Sequence, residues 1–73
     1  MGRTTELYGT RTLTNRESKI IKLVAEGNSN QEVADTLGNS IHVVKNYLRV
    51  IYDKTGTWSR AELAVWYLNN QIQ

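Results

Sequence analysis

Three times in this chain a hydroxyl residue is followed, three positions on, by glutamate: Thr14-Asn15-Arg16-Glu17, Ser29-Asn30-Gln31-Glu32 and Ser59-Arg60-Ala61-Glu62. At a helix start the hydroxyl accepts from the third backbone N–H. The glutamate reaches back to the cap's own N–H, so two groups that the helix leaves unpaired are satisfied reciprocally. Apolar residues at helical spacing follow each box, which predicts three helix starts. Ser40 offers a fourth cap, with Val43 where the glutamate would stand. The stops agree. Gly27 follows Ile20, Ile21, Val24 and Ala25; Gly38 follows Val33, Ala34 and Leu37; Gly56 follows Val44, Leu48, Ile51 and Tyr52. Helices are therefore expected over about 15–26, 30–37, 41–55 and 60–70. The chain has no proline, and no stretch alternates with a period of two long enough to predict a strand. The expected fold is all-α, a four-helix bundle-like domain over residues 13–70. Residues 1–12, with Gly2, Gly9 and four threonines, read as a flexible arm or linker end, and 71–73 as a C-terminal tail.

Size and composition narrow the function. A chain of 73 residues makes one domain, and so small a domain leaves much of its surface exposed and gains from a partner. Nine Lys and Arg against seven Asp and Glu give +2, with a sequence pI near 9.2, which permits an anionic partner without demanding one. Cysteine is absent and His42 is the one histidine, so no disulfide, thiolate or histidine metal set is available. The longest apolar run, Leu63 to Leu68, is too short to span a membrane. The first residues lack the apolar core of a secretory signal. These features predict a cytoplasmic protein without cofactor or metal. Catalysis is not expected: no acid orients His42 and Ser40 in sequence, and Glu17, Glu32 and Glu62 are accounted for by capping.

Only Gly38, Asn39 and Ser40 separate the second helix from the third. A connection that short forces a sharp crossing, as in a helix-turn-helix unit. Ala34 is small where the crossing helix must approach, and Val44 is expected to point back into the angle. The third helix then shows an apolar stripe of Val44, Leu48, Ile51 and Tyr52, with Tyr47 at its edge. His42, Lys45, Asn46 and Arg49 share the opposite face at helical spacing. A polar helix face is commonly no more than a solvated surface. Here it follows a tight turn, and Lys, Asn and Arg are side chains that reach phosphates and base edges in a major groove. Charge is distributed to match: Lys45, Arg49 and Lys54 oppose Asp53 in the third helix, whereas the second carries Glu32 and Asp35 and no base. Since Lys and Arg supply non-specific DNA affinity, the third helix is the element expected in the groove.

At this point the residues resemble a family. Residues 13–66, about three quarters of the chain, are similar to the LuxR-type helix-turn-helix domain, the output domain of many bacterial response regulators and quorum-sensing regulators. The resemblance lies in Leu13-Thr14-Asn15-Arg16-Glu17, the run Ala25 to Ala34, Leu37-Gly38, Ser40, Val44-Lys45-Asn46-Tyr47-Leu48, Ile51-Tyr52-Asp53-Lys54 and Ser59-Arg60-Ala61-Glu62-Leu63. It implies a four-helix domain that binds DNA as a dimer, with the third helix in the major groove and the fourth pairing the subunits. It also implies that Lys45, Asn46 and Arg49 meet bases and phosphates. His42 and Val43 lie beside them at the start of the same helix. Thr14, Arg16, Asn30, Gln31, Ser59 and Arg60 occupy positions near helix N-termini where family members hold phosphates. Free N–H groups and the helix dipole favour anions there on independent grounds. Three positions depart from the family pattern: Asn39 replaces an aliphatic residue, Val43 a threonine, and Ile41 a polar or acidic residue. Ile41 and Val43 suit thymine methyls or a protein surface.

The fourth helix is apolar on two sides. Ala61, Ala64, Val65 and Leu68 form one stripe, and Leu63, Trp66 and Tyr67 another. A terminal helix of a small domain has one side to bury, so the first stripe is expected to meet a second copy. Trp66 is expected in the core or the seam. Trp58 and Trp66 as base-stacking platforms are the less favoured alternative. The expected function is sequence-specific binding of double-stranded DNA by a bacterial transcriptional regulator, as a dimer on paired half-sites. The alternative is a protein-interaction adaptor of the same fold, binding another regulator or RNA polymerase through Ile41, Val43 and the fourth helix.

Overall fold

The computed structural model describes residues 13–70. The expectations for residues 1–12 and 71–73 lie outside the described residues. Among the described residues four helices follow one another: α1 (Asn15–Ala25), α2 (Asn30–Leu37), α3 (Ile41–Thr55) and α4 (Arg60–Asn69). α1 and α4 each stop one residue short of the sequence expectation, within the fraying of helix ends. No strand occurs among the described residues.

Two of the three reciprocal boxes close as expected. Thr14 Oγ1 accepts from the Glu17 N–H at 3.0 Å and Glu17 Oε1 from the Thr14 N–H at 2.9 Å. Ser29 and Glu32 repeat this at 3.1 and 2.8 Å. The third closes differently. Ser59 Oγ accepts from the Glu62 N–H at 3.2 Å, but Glu62 Oε1 accepts from the Trp58 N–H at 2.7 Å, one residue before the cap. The Ser59 backbone is more extended, with φ −150° against −82° at Thr14 and −75° at Ser29. That extension turns the Ser59 N–H away from the glutamate. At Ser40 the hydroxyl alone caps, accepting from the Val43 N–H at 3.2 Å.

The α2–α3 turn rests on Gly38, which is left-handed at φ 70° and ψ 35°. Any side chain there would be strained. The following amide, Asn39 N–H, closes onto the Ala34 carbonyl at 2.9 Å, which satisfies a carbonyl that the end of α2 leaves free.

The core draws on every helix: Ile20, Ile21 and Val24 from α1, Val33 and Ala34 from α2, Val44, Leu48 and Ile51 from α3, and Leu63 from α4. α2 packs chiefly on α3, and α4 chiefly on α1. Ala34 and Val44 are both fully buried, as the tight crossing requires. Tyr47 and Tyr52 are half-buried at the core's edge. Among the described residues, no helix is long and apolar enough to cross a membrane.

Among the described residues, one charged side chain is buried with this core. Glu17 is buried, and its carboxylate holds the Lys54 ammonium at 2.9 and 3.2 Å while still capping α1. Lys54 therefore serves the interior, and the basic face of α3 rests on Lys45 and Arg49. Lys54 follows Lys45 by nine residues, half a turn around the helix. Burial pushes the Glu17 carboxyl up, but the Thr14 N–H and Lys54 together outweigh it and hold the pKa below the usual carboxylate value. A depressed folded pKa stabilises fully above the unfolded value and loses that stabilisation as pH falls through the folded one. We expect Glu17→Ala to cost about 2–3 kcal/mol at neutral pH. The difference from wild type should shrink in urea titrations carried from neutral into the acid range. A constant difference across that range would mean that the ion pair contributes nothing.

Candidate nucleic-acid interface

The back of α3 fixes its front. Val44, Leu48 and Ile51 are driven into the core, and the 100° step between residues turns His42, Lys45, Asn46 and Arg49 outward together. All four are exposed. Ile41, the first residue of α3, is 37% exposed, and Val43 is half-buried. Two further residues share the outward face: Val50 and Asp53, both exposed, four residues beyond Asn46 and Arg49 respectively. Sequence reading did not name Val50. Its spacing from Asn46 places it on this face, while its apolar side chain suits the buried stripe better. Arg49, Val50 and Asp53 border a shallow, open depression that Trp58 also lines. Trp58 is 86% exposed, whereas Trp66 packs against the core.

The polar residues at the other helix starts fall into separate places. Thr14 and Arg16 stand exposed at the start of α1, where Glu17 joins that end to Lys54 near the close of α3. Asn30 and Arg60 are brought together. The Arg60 guanidinium donates to Asn30 Oδ1 through Nη1 and to the Asn28 carbonyl through Nη2, so the N-termini of α2 and α4 adjoin. Gln31 is exposed and donates Nε2 to Asp35 Oδ1 at 3.0 Å, one turn along α2. Ser59 is exposed beside Arg60 with its hydroxyl engaged as the α4 cap. Two of the five guanidinium N–H donors are used within the fold.

α4 turns one of its two apolar stripes inward. Leu63 is fully buried, with Trp66 and Tyr67 packed on the core. The other stripe faces out: Ala61 exposed, Ala64 half-buried, Val65 56% exposed and Leu68 67% exposed.

A four-helix domain with a three-residue turn between α2 and α3, and a polar outward face on α3, is a helix-turn-helix domain of the kind found in DNA-binding transcription regulators. Residues 11–67 match the model of the luxR family of bacterial regulatory proteins, and the chain belongs to that family. Its relatives include a probable transcriptional regulator, ycf29, of Cyanophora paradoxa, 39% identical over 81% of this chain and 28% of the relative. The response regulator Rre1 of Synechocystis is 39% identical over 81% of this chain and 26% of its own length. The transcriptional regulatory protein LiaR of Bacillus subtilis is 35% identical over 82% of this chain and 28% of its own. The chain thus spans roughly a quarter of the curated relatives it matches.

Proposed function

We propose that this domain binds double-stranded DNA sequence-specifically in the service of a cytoplasmic transcription regulator, with α3 in the major groove and two copies paired through α4. The observation that carries the reading is the outward face of α3. His42, Lys45, Asn46 and Arg49 leave the helix together immediately after the tight turn, and none of them is needed for the core. Arg49 and Asn46 supply bidentate base contacts, and Lys45 a phosphate or guanine contact. Ile41 and Val43, beside them, meet thymine methyls. Thr14, Arg16, Asn30, Gln31, Ser59 and Arg60 line the backbone at helix starts and set register without reading sequence. The mechanism is binding, with no bond made or broken.

The dimer reading rests on Val65 and Leu68, two large apolar side chains exposed one turn apart next to Ala61 and Ala64. Small residues at that seam allow close approach of two helices. A two-fold dimer then matches two half-sites related by the same symmetry. Val65→Glu leaves the core untouched. It should lower affinity for a duplex with paired half-sites by about tenfold or more and convert a two-to-one complex into a one-to-one complex, as read by analytical ultracentrifugation. A two-to-one complex of unchanged affinity would place the dimer contact elsewhere.

A further inference from the structure

α4 is held in the core by one fully buried side chain, Leu63, with Trp66 and Tyr67 over the core's edge. Apolar contacts of this kind are non-directional. They fix how deep a helix sits better than how it is tilted. The directional link is at the helix's first residue, where the Arg60 guanidinium spans the Asn28 carbonyl and Asn30 Oδ1. Both acceptors are themselves fixed. The Asn28 N–H and Nδ2 donate to the Leu23 carbonyl at 3.1 and 2.8 Å, which closes the end of α1, and Asn30 is the first residue of α2. Arg60 therefore ties the start of α4 to the corner between α1 and α2. α2 in turn carries α3 through its three-residue turn.

We infer that Arg60 is a positioning residue that fixes the tilt of the dimer helix against the DNA-reading unit, and so sets the distance between half-sites that the paired domain accepts. The inference rests on the paired-site reading above. In a dimer joined through α4, any change in its angle to α2 moves the two α3 helices relative to one another. The planar fork of a guanidinium meets two acceptors at once, which the single ammonium of lysine does not reproduce.

The test uses duplexes that carry two copies of the half-site selected by the wild-type domain, with a series of spacers between them. The readout is the ratio of affinities between the preferred spacer and its neighbours. Loss of a phosphate contact weakens every duplex alike and cancels in that ratio. Wild type should prefer one spacer. Arg60→Ala should reduce the preference about tenfold or more, the order of one lost charge-assisted hydrogen bond, and Arg60→Lys should fall between them. Circular dichroism checks that each variant is folded, and Arg60→Lys carries the test if Arg60→Ala does not fold. Variants that weaken binding uniformly while keeping the wild-type ratio would overturn the inference alone. A wild-type domain with no preferred spacer would remove the paired-site reading and the inference with it.

Discussion

Exchanging Lys45 and Arg49 for alanine will each weaken binding to the selected duplex by about 1–3 kcal/mol, and the double variant will bind little better than a neutral helix. Both side chains are exposed on the outward face of α3, so the fold should hold: alanine favours helix, and surface changes of this kind stay within about 0.5 kcal/mol of stability. The two losses should differ in kind. A residue that reads a base relaxes sequence preference when removed. One that meets a phosphate weakens all duplexes together and lowers the salt slope by about one. Anisotropy titrations on matched and mismatched duplexes separate these cases. Unchanged affinity in both variants would take α3 out of the groove.

The second large effect is on stability. Ile51→Ala should cost about 2–5 kcal/mol, because Ile51 is fully buried where α3 meets the core and its deletion leaves a cavity that the packed helices fill only in part. A domain of this size has only about 4–11 kcal/mol in total, so a large share of its stability goes with one side chain. Val50→Ala, one residue earlier, removes a 45% exposed side chain from the other face and should stay near wild type. Urea unfolding followed by circular dichroism compares the pair. Equal tolerance of both changes would mean that the buried face of α3 has been assigned to the wrong stripe.

Most of the fold was legible because its punctuation is local. Caps at Thr14, Ser29 and Ser40, and glycine stops at Gly27, Gly38 and Gly56, act within one turn of chain and announce themselves in sequence. The outward face of α3 was legible for a related reason, since Val44, Leu48 and Ile51 fix the helix's rotation by spacing alone. What sequence did not show depends on how helices cross. Glu17 and Lys54 lie 37 positions apart, and nothing local distinguishes that glutamate from the capping glutamates at 32 and 62. Arg60 is expected from sequence only as a phosphate position at a helix start, and the fold alone brings the α1–α2 corner to it, 30 positions away in sequence. The return arm of Glu62 shifted to Trp58 through a backbone angle at Ser59 that no residue pattern encodes. On α4 both stripes are apolar, so periodicity alone favours neither, although the stripe of Ala61, Ala64, Val65 and Leu68 is the one expected to face outward. The structure turns the other stripe inward, with Leu63 fully buried in the core and Trp66 and Tyr67 packed against it.

Selection of bound duplexes from a random pool at two salt concentrations decides whether α3 reads DNA sequence. A sequence-reading α3 enriches a two-fold-related motif at both salts, with affinity falling steeply as salt rises because phosphate contacts release counterions. Weak, unselective binding that vanishes at the higher salt would contradict it. It would leave Lys45 and Arg49 as a basic surface without a code, and would shift attention to Ile41, Val43 and the exposed stripe of α4 as a surface for another protein.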